Sequence, residues 1–168
     1  MTILGVDPGT ERTGYGLIRV TKKPAFQITH IGHGCITTDR GEQKGERLFS
    51  LEKQLSLVLQ DSRPDAMAVE TLFFFKNLKT VMPVSEARGV ILLTGFKKKV
   101  PLYEFSPLQV KMTITGYGRA EKKQVQAMVQ ELLSLSETPK PDDAADGLAL
   151  AITCALSLRN HQLSPHKA

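Results

Sequence analysis

Two apolar runs in this chain end on acids: "ILGVD" at Asp7 and "AMAVE" at Glu70. An aspartate before Pro-Gly is an ordinary turn starter, but a short buried strand needs no charge at its end. Glu70 has no local capping duty at all. A third acidic place is "DDAADG", where Asp143 and Asp146 are three residues apart and project from one face of a first helical turn. Acids there also meet the helix dipole favourably, and Asp142 is a candidate cap. Brought together, Asp7, Glu70, Asp143 and Asp146 would repel one another and raise each other's pKa. Divalent ions remove that penalty, and magnesium prefers oxygen ligands supplied by carboxylates, water and substrate phosphate. Two such ions about 4 Å apart activate a water and stabilise the departing oxygen of a phosphodiester. The expected cofactor is therefore Mg2+, two per site, with Mn2+ able to substitute. In this reading Asp7 bridges the metals, and Gly9, Gly14 and Gly16 leave room for the substrate backbone.

The elements that must position these acids follow from periodicity. Ile3, Leu4 and Val6 suit a buried central strand, and "TGYGLIRV" reads as its hairpin partner. Gly14 and Gly16 leave one face of that partner bare, so another backbone or a ligand can approach. "AFQITHIGHGCITT" alternates and completes an antiparallel meander. Leu48, Leu51, Leu55, Val58 and Leu59 predict an amphipathic helix over 43–61, and "AMAVE" is a short buried strand. Then come the loop "TLFFFKNLKT", a helix near 83–98 and the strand "PLYEF". Ser106 and Pro107 suit the cap and first turn of a short helix. A glycine turn leads into a helix with Val125, Met128, Val129, Leu132 and Leu133 on one side, and "DDAADGLALAITCALSLRN" is the last helix. Hairpin strands followed by alternating strands and helices predict an α/β fold with a mixed, helix-covered sheet. One domain over 1–160 with a disordered tail at 161–168 is the economical organisation.

With 168 residues, 41% hydrophobic and 23% charged, the composition is that of an ordinary globular domain without a bilayer-spanning run. The N-terminus has no basic segment followed by an apolar signal core, so a cytoplasmic location is expected. Two cysteines without CxxC spacing argue against a structural zinc site. Lysine and arginine exceed the acids by 22 − 17 = 5. Residues 97–123 carry that excess, with seven basic residues against Glu104 and Glu121. A localised basic stretch fits a solvated helix face or a polyanionic partner.

The blocks "GVDPGTERTGYGLI", "AVETLFFFKN", "SEARGV", "KMTITGYGRAEKKQV" and "DDAADGLALAI" together closely resemble the RuvC family of Holliday-junction resolvases. The resemblance implies a ribonuclease H-like fold with a five-stranded mixed sheet flanked by helices. It further implies a homodimer, magnesium dependence, paired incisions in a four-way DNA junction and a branch-migration translocase as partner. On matching positions, Asp7, Glu70, Asp143 and Asp146 correspond to the family's metal-binding carboxylates. Lys111 and Lys122 fall where the family has basic residues near the scissile phosphate, with Arg119 and Lys123 beside them as DNA contacts. Phe73 falls where the family has an aromatic that stacks at the opened junction, with Phe74 and Phe75 as alternatives. The helix carrying "ARGVILLTGF" is the candidate dimer interface, because its apolar surface is wide for one amphipathic face; burial inside the monomer fits the same pattern equally well.

Three other readings compete. An actin-like or sugar-kinase phosphate loop normally needs two such domains to enclose a nucleotide, and 168 residues leave no space for them. A non-catalytic junction-binding module leaves Glu70 unexplained. A ribonuclease acting on RNA–DNA hybrids shares fold and metals, and differs in substrate.

Overall fold

The computed structural model describes residues 1–71 and 78–160, with side chains at 1–71 and 81–160. Phe73, Phe74, Phe75 and the tail at 161–168 lie outside the described residues. Five strands, β1 (Thr2–Asp7), β2 (Arg12–Thr21), β3 (Gln27–Thr37), β4 (Ala66–Glu70) and β5 (Leu102–Phe105), form one sheet in the order β3-β2-β1-β4-β5. The meander pairs are antiparallel, and β1–β4 and β4–β5 are parallel. β1 is central, which is why Ile3, Leu4 and Val6 have no exposed surface: side chains of both faces meet helices.

Helices α1 (Lys44–Ser62) and α2 (Leu78–Lys97) cover one face. Leu51, Leu55 and Leu59 of α1 pack there against Leu4, Val6, Met67 and Val69. Helices α3 (Pro107–Thr115), α4 (Lys122–Leu132) and α5 (Asp142–Arg159) cover the other. Ser106 caps α3 as its sequence predicts, accepting from the Gln109 N–H at 3.2 Å while the Gln109 side chain accepts from the Ser106 N–H at 2.8 Å.

Three expectations change. α2 begins at Leu78, inside the stretch read as a loop, and carries Pro83 in its second turn. A proline this close to the start of a helix is tolerated, because its missing N–H removes only one bond there. Asp142 is not the cap of α5: Pro141 occupies that position, its carbonyl accepting from the Ala144 N–H at 2.9 Å. The glycines do not make room for substrate either. A Cβ on Gly14 would collide with the Asp143 carbonyl, and one on Gly16 with the Leu148 backbone, while a Cβ on Gly9 would strike the Arg12 carbonyl within its own turn. Gly147 on α5 is bare for the same reason, since its Cβ would lie 2.7 Å from the Gly16 nitrogen. Backbone thus rests on backbone where α5 crosses the sheet, and the near-continuous burial from Ala144 to Ala155 is that of a helix enclosed on most sides.

Candidate active site

The crossing of α5 over β1 and β2 builds the site. Asp7 pairs with Gly14 across the hairpin, and Gly14 lies directly under the Asp143 backbone. The first turn of α5 is thereby set down beside Asp7. Carboxylate oxygens of Asp7, Asp143 and Asp146 come within 4.8 Å of one another. Val6 pairs with Val69 in the parallel register, so Glu70 leaves the adjacent strand end next to Asp7. Asp7, Glu70, Asp146, Lys111 and Lys122 line one cavity of about 190 Å³ floored by Val110, Val125 and Leu150. Asp142, the neighbouring acid, points outward with 68% of its side chain exposed.

The cluster strains its own ionisation. Burial, then the charges of Glu70, Asp146 and Asp143, hold the Asp7 carboxyl well above the usual carboxylate range, and Lys122 offsets only part of this. Burial and Asp146 push Glu70 up to about 7, against the opposing pull of Lys111. Asp146 is raised by burial even though Lys122 donates to it. Burial disfavours the Lys122 charge, but its hydrogen bond to Asp146 and the charges of Asp146, Asp142 and Asp143 outweigh that and raise its pKa. An all-oxygen donor set with excess negative charge, partly buried, fits a hard divalent cation.

The lysines divide by position. Lys122, the first residue of α4, places Nζ 2.9 Å from Asp146 Oδ2 and 3.8 Å from Asp142 Oδ2. Lys111 reaches the cavity from α3 on the Glu70 side. Arg119 and Lys123 are exposed and do not line it. Phe73 lies outside the described residues. Sequence reasoning missed Arg88 of α2, whose Nε donates to the Glu70 carbonyl at 3.1 Å and whose Nη2 donates to the Glu104 carboxylate. Its signal was present, since a lone arginine entering the apolar run "ARGVILLTGF" needs acceptors.

A family model described as crossover junction endodeoxyribonuclease RuvC matches residues 3–154. The chain belongs to the RuvC family. A relative of that name from Thermosipho melanesiensis is 50% identical over 159 residues, covering 95% of this chain and 99% of its own. One from Syntrophomonas wolfei is 49% identical over 152 residues, covering 90% and 87%. Among solved structures, the Thermus thermophilus RuvC structure superimposes with a TM-score of 0.89 at 34% identity over 98% of this chain and 99% of that one. The same RuvC in complex with a Holliday junction substrate gives 0.87 at 31% identity, covering 98% and 99%. A yeast mitochondrial resolvase at 13% identity, covering 95% of this chain and 82% of its own, shares the fold with a TM-score of 0.63. The expected ribonuclease H-like arrangement of a five-stranded mixed sheet flanked by helices is the one these RuvC neighbours share.

Proposed function

We propose that this protein is a metal-dependent endonuclease that resolves four-way DNA junctions by paired, symmetric phosphodiester hydrolysis in recombination and repair. The observation that carries the reading is the convergence of Asp7, Asp143 and Asp146 within 4.8 Å, in a chain matched to the RuvC family over residues 3–154. Asp7, Glu70, Asp143 and Asp146 would hold Mg2+, with Mn2+ as a substitute. When bound, two such ions supply an activated water and charge stabilisation for the departing oxygen. Lys122, kept protonated by its carboxylate neighbours, and Lys111 stand where negative charge develops on the phosphate and stabilise it. Arg119 and Lys123 contact flanking phosphates. Phe73, three residues after Glu70, stacks on a base exposed at the opened junction centre, returning about 1–3 kcal/mol against the unstacking. A fluorescent base analogue at the crossover reports this: Phe73→Ala should abolish the unstacking signal and slow cutting, while unchanged signal and rate would exclude the role.

Residues 1–160 form the nuclease domain, and the working unit is a homodimer, since a junction offers two equivalent strands and a two-fold protein matches them. Met82, Gly89, Leu93 and Phe96 of α2 lie at spacings of seven, four and three residues and all face outward, with Leu93 55% and Phe96 59% exposed. That stripe supports α2 as the interface. No helix among the described residues is long and apolar enough to cross a membrane. The setting is the cytoplasm, with a branch-migration translocase as partner.

Intact and nicked four-way junctions, titrated with and without magnesium, test the reading. Paired symmetric nicks should require the metal. Asp7→Asn should lose cleavage and keep or tighten junction binding, because an anion facing phosphate is removed without added volume. Near wild-type cutting by Asp7→Asn would overturn the metal site, and cleavage of RNA in a hybrid with no cutting of junctions would favour the ribonuclease reading.

A further inference from the structure

Glu70 lies at the very end of β4, beside two acids that repel it, and its main chain must be held there. The peptide that follows it donates its N–H across the sheet, from Thr71 to the Phe105 carbonyl at 2.8 Å. The carbonyl of that same peptide therefore points away from β5, toward the side of β1. There the chain has passed from Asp7 into Pro8, which has no N–H to offer. Arg88 supplies the donor instead, with Nε 3.1 Å from the Glu70 oxygen. Its other arm engages Glu104, the β5 residue paired with Val69. The Arg88 and Glu104 side chains are only 21% and 24% exposed, so water competes weakly for the pair.

We infer that Arg88 is a positioning residue for the metal site: it bridges the Glu70 main chain to Glu104 and fixes the strand end from which the Glu70 carboxylate enters the cluster. The inference rests on the reading of Glu70 as a metal-holding residue. Arginine suits this task because its planar fork spans two acceptors in fixed directions, whereas a lysine ammonium is a point charge that can serve one acceptor well. Arg88 does not line the acidic cavity, so in this role its effect appears in metal affinity and leaves junction affinity alone.

Calorimetric titration of the full chain with Mn2+, joined to cleavage at rising Mg2+, tests this. Arg88→Met should weaken Mn2+ binding about tenfold or more, the range seen when a ligand loses its supporting hydrogen bond. Its kcat should fall and recover at high Mg2+, with KM for the junction unchanged. Arg88→Lys should lie between, and Glu104→Gln should shift Mn2+ affinity in the same direction by less. Should Arg88→Met fail to fold, the Lys and Gln variants decide. Mn2+ affinity within twofold of wild type in the folded variants would overturn the inference while leaving the metal site standing. A wild-type chain that binds no Mn2+ would overturn both.

Discussion

Lys122 Nζ lies 2.9 Å from Asp146 Oδ2, an ion pair joining the first residue of α4 to the second turn of α5 inside the acidic cavity. A cation already seated on the cluster is placed to meet the charge that builds on a phosphate brought there. Lys97 pairs too, with Glu52 at 2.6 Å, but on the outer surface between α1 and α2. Lys122→Ala should lower single-turnover junction cleavage about a hundredfold, the scale seen on removing one such stabilising donor, with a small change in affinity. Lys97→Ala should leave the rate near wild type. Equal losses of rate and affinity in the two variants would contradict this division.

Metal-free stability should fall as pH rises. Burial and Asp146 place the folded Glu70 near 7, above its ordinary 4.5. Between those values the folded protein holds a proton that the unfolded chain has released. The contribution is therefore complete below the unfolded value and lost as pH passes the folded one. Asp7, raised by burial and by Glu70, acts in the same direction. Melting in chelator should drop from pH 5 to pH 8, and Glu70→Gln should flatten the curve. Magnesium should stabilise the protein most at the alkaline end. A chelated protein that melts at the same temperature throughout would refute this account.

Gly14→Ala sets a methyl group against the Asp143 carbonyl. Overpacking of this kind typically costs about 1–3 kcal/mol, and here it also lifts Asp143 away from Asp7. The variant should lose Mn2+ binding in calorimetry along with thermal stability. Gly32→Ala, whose Cβ would meet nothing within 4 Å, is the control and should retain both.

Leu93→Lys places a charge in the outward stripe of α2, at a side chain 55% exposed in the single chain. Sedimentation velocity at micromolar concentration should then show monomer where wild type shows dimer, with little loss of monomer stability. Paired cutting should become independent single-strand nicking. A wild-type monomer that still cuts symmetrically would exclude the dimer.

The sequence alone determined the local parts of this protein. β1 and β4 were legible as apolar runs ending in acids, α1 as leucines at helical spacing, and the α3 cap from Ser106 and Pro107, because each depends on neighbours within a few residues. The acids were legible for the same reason: a charge closing a buried strand stands out against its own segment. Tertiary structure decided what those parts meet. Gly14 and Gly16 read equally well as space for a ligand or for a chain, and only the crossing of α5 assigned that space to the Asp143 and Leu148 backbone. Only the fold brings Asp143 and Asp146 oxygens within 4.8 Å of an Asp7 oxygen while the adjacent Asp142 side chain is turned outward. The need of Arg88 for acceptors was legible but their identity was not, because they lie on β4 and β5, 18 residues earlier and 16 later in the chain. Periodicity records which face of an element is apolar. Contacts between distant segments exist only once the sheet order brings them side by side.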